Sequence, residues 1–245
     1  MTSTFEASGF QIITTNDGSP TLLSKKLQES MHHSAGAATE TWYIYGSVLE
    51  KALSLEEPLR ICTVGLGLGY IEMAWAALEH HQTSLDTFEI VECLKSSFQD
   101  WFLSSDEDPA AIHHMACAKL LQKQKSLQTV HDIKVQLRKN PPRFHGSILD
   151  FSETQKWNVI CFDAFSKKSS GDLWTPEFLD TFLREFTDKN CVFTTYACTG
   201  TLKRALLNHG FQWIERPGFS GKRDSTLAIR GSVMSRAFQT FSHSQ

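Results

Sequence analysis

The sequence predicts a Rossmann-like α/β fold: a mainly parallel seven-stranded sheet wound with helices, closing in a C-terminal antiparallel hairpin and preceded by a small N-terminal β element. Three observations predict it. Short apolar runs alternate with helix-forming stretches from residue 59 onward, the first run ends in Gly65-Leu66-Gly67-Leu68-Gly69, and the last two runs lie too close together for a helix between them. The 245 residues are 41% hydrophobic and 21% charged, which suffices for a sizeable core and excludes a disordered or fibrous chain.

Residues 10–23 read as two short strands joined through the Asp17-Gly18 turn, and the small-residue stretch Gly36 to Trp42 reads as a helix crossing the mouth of the sheet. Residues 1–45 thus form a β element with a mouth-covering segment. Leu59 to Val64 is a β-branched run ending at glycines, and Tyr70 to Glu79 follows with helix formers: strand, tight turn, helix. Leu85 to Val91 resembles a second strand. Behind it Leu94, Phe98, Trp101 and Phe102 recur at helical spacing, which completes a βαβ unit.

Residues 106–143 read as a helical excursion, Ala110 to Lys125 and Leu127 to Arg138, stopped at Asn140-Pro141-Pro142. Strands are expected again at Arg143 to Ile148, Asn158 to Phe162, Asn190 to Tyr196, Phe211 to Glu215 and Ser225 to Arg230. Only Arg216 to Asp224, with Pro217, Gly218 and Gly221, separates the last two, so they are expected to pair antiparallel. The main domain therefore covers residues 46–232. Residues 233–245 are read as a tail, with disorder expected after Gly231.

Several classes are excluded. The longest apolar stretches, Val159 to Phe162 and Met73 to Leu78, fall far short of the roughly 20 residues of a membrane span. The N-terminus lacks a basic region followed by an apolar one, so a cytoplasmic protein is expected. Six cysteines show no C-x-x-C pair and read as reduced thiols. The adjacent pairs His32-His33, His80-His81 and His113-His114 point to different faces and have no suitably spaced third ligand, so no metal is expected. The formal net charge of −3 hides an asymmetry: from Gly200 onward seven basic residues face two acidic ones. Such a bias suits either an anionic partner such as RNA or a solvated face.

A G-x-G-x-G turn after a strand lets backbone approach a ligand, and the following helix N-terminus offers amides. The pattern serves any cofactor that presents an adenosine ribose, NAD and S-adenosylmethionine (SAM) alike. An acidic residue at the end of the second strand should take the ribose hydroxyls. Glu89 is favoured, because an unpaired carboxylate inside an apolar strand would be costly to bury; Glu92 is the alternative, or it opens the next helix. The fourth strand ends at Asp163, on the carboxyl edge where open α/β sheets bind ligands. A carboxylate there can orient a substrate amine and accept its proton, or cap the next turn.

Several segments resemble one family. Asp163-Ala164-Phe165-Ser166 with Asp172-Leu173-Trp174-Thr175-Pro176-Glu177, the stretch Thr194 to Leu206, and Gly218-Phe219-Ser220-Gly221-Lys222-Arg223 are similar, in order, to segments of the MnmC-like methyltransferases. Asp17-Gly18-Ser19-Pro20-Thr21 and Glu29 to Glu40 extend the likeness to nearly the whole chain. The resemblance implies a class I SAM-dependent methyltransferase fold. It also implies N-methylation of the aminomethyl group of a modified tRNA wobble uridine. Gly65, Leu66, Gly67, Gly69, Glu89, Glu92, Ser147, Asp163 and His32 are then expected at the cofactor, with Asp163 catalytic. Phe165, Trp174, Lys222 and Arg223 are expected at the substrate, with loop packing the other reading of Trp174, and Lys203 and Arg204 along an RNA backbone.

Two departures stand out: Gly146-Ser147 replaces the family's Gly-Asp, leaving Asp150 as another source of an acid, and Ala164 replaces a glycine. Bifunctional members carry an FAD-dependent oxidoreductase domain, for which 245 residues leave no room, so a separate oxidoreductase partner is expected. The competing readings are a spermidine-synthase-like aminopropyl transferase and a non-catalytic SAM- or RNA-binding module.

Overall fold

The computed structural model describes residues 4–55, 57–78, 82–221 and 224–239. Its N-terminal part holds α1 (Thr4–Ala7) and a three-stranded antiparallel sheet of β1 (Phe10–Thr14), β2 (Pro20–Ser24) and β3 (Glu29–Ser30). The β1–β2 register runs from Phe10 opposite Ser24 to Thr14 opposite Pro20, with Asp17-Gly18 in the connecting turn as the sequence predicts. The turn also fixes the next helix. Thr15 Oγ1, Ser19 Oγ and Asp17 Oδ2 accept hydrogen bonds from the amides of Ala37, Ala38 and Thr39, capping α2 (Ala37–Thr41) from outside its own sequence. Burial raises the Asp17 carboxyl, but hydrogen bonds from Ser19, Thr15 and Thr39 outweigh it and hold the pKa at about 2.

Helix α2 continues through a π-helical turn, Trp42–Gly46, into α3 (Ser47–Leu53), a single covering segment. The main sheet follows: β4 (Leu59–Val64), α4 (Tyr70–Ala77), β5 (Thr83–Phe88), α5 (Glu92–Leu103), the excursion α6 (Ile112–Gln124) and α7 (Val130–Lys139), then β6 (Arg143–His145), β7 (Trp157–Phe162), α8 (Pro176–Phe186), β8 (Thr187–Thr195), α9 (Gly200–Asn208), β9 (Gln212–Ile214), β10 (Thr226–Arg230) and α10 (Ser232–Phe238). The strand order is β6-β5-β4-β7-β8-β10-β9. All pairings from β6 to β8 are parallel, and β10 pairs antiparallel with both β8 and β9. The expected seven-stranded sheet with a terminal hairpin is therefore present, with a small N-terminal sheet beside it.

Alternation along the strands divides the core. Ile61, Val159, Cys161, Val192, Leu227 and Ile229 pack with α3 to α7 and α10, while Cys62, Ile160, Phe162, Cys191, Phe193 and Ala228 pack with α8 and α9. Two expectations change. The second strand ends at Phe88, three residues earlier than read from the apolar run, which leaves Glu89 in the turn beyond it. The tail after Gly231 is α10 as far as Phe238, with Met234 and Phe238 buried, because its apolar spacing finds a face on β8, β10 and α3.

Candidate functional site

The carboxyl ends of β4, β5, β7 and β8 open into one cavity of about 790 Å³, roofed by the N-terminal sheet. Its floor is set by the glycine turn. Gly65, Gly67 and Gly69 all have left-handed φ angles, +98°, +56° and +78°, which a side chain rarely adopts. At Gly65 a β-carbon would sit 2.5 Å from the Asp163 carbonyl oxygen, so β4 and β7 can approach there only without one. Gly65 and Gly67 line the cavity. Gly69 instead starts α4 against the Phe98 ring, and Leu66 buries its side chain in the core. The first two glycines make the cradle, and the third makes the helix start.

Glu89 is the other half of that end. Its carboxylate accepts from the amides of Leu66 (3.2 Å) and Val91 (2.8 Å), coupling the end of β5 to the glycine turn. Burial raises its pKa, and the backbone amides oppose the rise. Glu92 stands in the first turn of α5, its exposed carboxylate 2.6 Å from Lys95 Nζ and outside the cavity, as expected of a residue that opens a helix. Gly146 and Ser147 form the next stretch of wall, where Ser147 Oγ accepts from the Leu149 amide. Asp150 is exposed and off the cavity, so it does not replace the family's missing acid. Ile90 and Leu149, 77% and 51% exposed, flank this end with apolar surface.

Beside the cradle, at the end of β7, stands Asp163, whose amide donates to the Val64 carbonyl and whose Oδ1 accepts from the Tyr45 hydroxyl at 2.6 Å. Phe165 lines the wall beside it. The loop that carries both is tied to the N-terminal sheet: Glu29 on β3 accepts from the amide (3.1 Å) and hydroxyl (3.0 Å) of Ser166 and from the Ser169 hydroxyl. Glu40, Tyr45 and Tyr196 complete this wall. His32 reaches the cavity from above, its Nδ1 hydrogen-bonded to Thr21 Oγ1 at 2.8 Å. Burial drives its pKa down to about 4, so it is neutral near pH 7.

Three relatives and a family model place this arrangement. Residues 112–231 match the model of a family of S-adenosyl-L-methionine-dependent methyltransferases. The tRNA 5-methylaminomethyl-2-thiouridine biosynthesis bifunctional protein MnmC of Burkholderia mallei is 25% identical over 90% of this chain and 37% of its own length. An uncharacterised protein of Methanocaldococcus jannaschii is 27% identical over 89% of this chain and 59% of its own. The crystal structure of MNMC2 from Aquifex aeolicus superposes with a TM-score of 0.62 at 23% identity, over 90% of this chain and 70% of that one. The chain is thus similar to S-adenosyl-L-methionine-dependent methyltransferases, MnmC proteins among them. It spans well under two thirds of the length of these curated relatives.

Within this MnmC-like frame, several expected site residues have other work. Trp174 is 2% exposed: its indole N–H donates to the Phe165 carbonyl at 2.8 Å and its ring packs edge-on against Phe162. It supports the loop and does not line the cavity. Lys222 and Arg223 lie outside the described residues. The C-terminal basic bias is also smaller at the surface than in sequence: Arg216 is buried, and Arg230 spends its guanidinium on the carbonyls of Thr187, Asp188 and His209. Lys203 sits over the Trp213 ring.

Sequence reasoning missed Glu29, Glu40, Tyr45 and Tyr196 as cavity walls. Glu29 and Glu40 had a signal as the ends of the family-like stretch Glu29 to Glu40, and Tyr196 as part of Thr194 to Leu206; Tyr45 had none. Among the described residues no helix is long and apolar enough to cross a membrane, and no group of three or more His, Cys, Asp or Glu is placed to hold a metal.

Proposed function

We propose that this chain transfers the methyl group of SAM to an amine nitrogen, with a modified tRNA wobble uridine as the acceptor. The observation that carries the reading is one cavity lined by a glycine cradle, a buried carboxylate, Glu89, and a second carboxylate, Asp163. The cradle and Glu89 fit SAM. Gly67 turns bare backbone to the cavity, Glu89 offers carboxylate oxygens for a ribose diol, and Ile90 and Leu149 offer apolar surface for a purine. Ser147 occupies the position of the family's acid, so the adenine amine is met there by a hydroxyl or by backbone.

When bound, SAM supplies an electrophilic methyl group on a positively charged sulfur. The chain's own part is alignment and proton handling. Asp163 would orient the acceptor amine, favour its lone pair toward the methyl group, and take the proton released as the nitrogen becomes alkylated. The Glu29 tie to Ser166 and Ser169 would hold the Asp163 loop in place under the roof. Lys203 and Arg204, with Lys222 and Arg223, would receive RNA phosphates.

Incubating the protein with methyl-labelled SAM and tRNA lacking the modification, followed by nucleoside analysis, tests the reading. Label on the wobble uridine is the expected result. Label on a small-molecule amine alone would reassign the acceptor, and absence of SAM binding by calorimetry would refute the enzyme.

A further inference from the structure

The segment that covers the cavity contains a structural irregularity aimed at Asp163. Between α2 and α3 the helix widens into the π-helical turn Trp42–Gly46, closed by the Ser47 amide on the Trp42 carbonyl. Such a turn inserts one residue and rotates the helix face that follows, a device common at functional sites. A β-carbon at Gly46 would collide with the Trp42 ring, so this widened turn suits glycine at that point. Its product is the placement of Tyr45. The side chain is 2% exposed, its ring lines the cavity, and its hydroxyl donates to Asp163 Oδ1 at 2.6 Å.

The turn is held from behind by a buried cation. The Ile44 carbonyl accepts from Thr194 Oγ1 at 2.6 Å and from Arg216 Nη1 at 3.0 Å. Arg216 lies between β9 and β10, is 2% exposed, and also donates to Ser225 Oγ (2.7 Å), Thr194 Oγ1 (3.0 Å) and the Thr226 carbonyl (2.8 Å). Among the described residues its hydrogen-bond partners are all neutral. Burying a guanidinium without a carboxylate partner is expensive, so its retention here calls for a return elsewhere. Arg216 fixes Ile44, and the next residue fixes Asp163.

We propose that Tyr45 is a positioning residue of the methyl-transfer site: its hydroxyl, delivered by the π-helical turn and braced through Arg216, holds the Asp163 carboxylate in the orientation that meets the acceptor nitrogen. The proposal rests on the assignment of Asp163 made above. The phenol acts as a donor and not as a base, because burial and the neighbouring Asp163 charge keep it protonated far above neutral pH. The other titratable or charged groups around Asp163 are Tyr196 after β8, Cys161 on β7, Glu40 on α2, Glu29 on β3 and Arg216 behind them. Tyr196 donates its own hydroxyl to the Ala164 carbonyl, so Tyr45 and Tyr196 hold adjacent residues by different groups.

Tyr45→Phe removes one oxygen and keeps the ring, and two readouts judge it. The carboxyl carbon of Asp163, followed by 13C NMR in aspartate-labelled protein and assigned with Asp163→Asn, is expected to titrate about one pH unit higher in the variant, since a lost hydrogen bond to the charged form favours the proton. On the same grounds kcat for methyl transfer should fall about tenfold or more, the acid limb of kcat/KM should move up by about one unit, and SAM affinity should stay within about twofold. An unshifted Asp163 midpoint in the folded variant overturns the proposal. Wild-type protein that binds SAM but methylates no amine would refute the functional reading instead, and the titration would still decide whether Tyr45 controls Asp163.

Discussion

Glu72→Gln is expected to stabilise the protein above about pH 7 and to leave it nearly unchanged near pH 4. Glu72 lies on α4, one turn beyond the glycine cradle, and is completely buried. One carboxylate oxygen accepts from Thr87 Oγ1 at 2.8 Å; among the described residues the other has no hydrogen-bond partner. Burial pushes its pKa up from 4.5 to about 7, against the smaller opposing pull of Thr87. The sign follows from proton counts. Between pH 4.5 and about 7 the folded state keeps a proton that the unfolded state has lost, so stability declines across that window and is level above it.

The shift corresponds to about 3 kcal/mol at 1.36 kcal/mol per pH unit. For a chain of 245 residues this is on the order of 6 °C in Tm. Glutamine reproduces the protonated side chain, keeps an acceptor for Thr87 and never ionises. Melting curves of both proteins from about pH 4 to about pH 8.5 should show a Tm difference growing from near zero to about 6 °C in favour of the variant. A difference that does not depend on pH, or a variant less stable at pH 8.5, would refute the assignment of that buried charge.

Gly65→Ala forces a left-handed φ on a residue with a β-carbon and drives that carbon into the Asp163 carbonyl, so SAM affinity measured by calorimetry should fall at least about tenfold. Wild-type affinity in that variant would remove the cradle from the site. Glu89→Gln weakens a charged acceptor of two amides and one end of the cavity, with an expected loss of about 10- to 100-fold in SAM affinity, while Glu92→Gln should bind as wild type. Equal losses in the two would undo the distinction drawn between them. His113→Phe deletes the ring bonds to the Leu68 carbonyl (3.1 Å) and Ser97 Oγ (2.9 Å), by which α6 braces the glycine turn. Urea unfolding at pH 7 should show a loss of about 2 kcal/mol, shrinking on acidification, because burial depresses the wild-type histidine to about 4 and costs it stability as pH falls below 6.5. A constant loss across pH would count against a buried neutral ring.

By itself the sequence determined the order of elements, the parallel sheet with its antiparallel end, the glycine turn, and the two acids Glu89 and Asp163. Those features are local: a β-branched run, a positive-φ turn or a strand-end carboxylate is specified by residues a few positions apart. Tertiary structure decided which residues share the cavity. Trp174 looked available in a loop, yet that loop folds over Phe162 and buries the indole. The seven C-terminal basic residues look like one patch in the chain, yet Arg216 turns inward to the carbonyls of Thr226 and of Ile44, the latter 172 positions away.

Glu89 lines the cavity and Glu92 opens α5 because of where β5 ends, which depends on pairing with β4 and β6 and not on the apolar run alone. Tyr45 had no local signature at all. Its contact with Asp163 spans 118 positions and requires the π-helical turn, which is set by packing against Thr194 and Arg216. Local chemistry can be written in a segment, but a juxtaposition across the fold exists only once the layers have packed and the buried polar groups have found their partners.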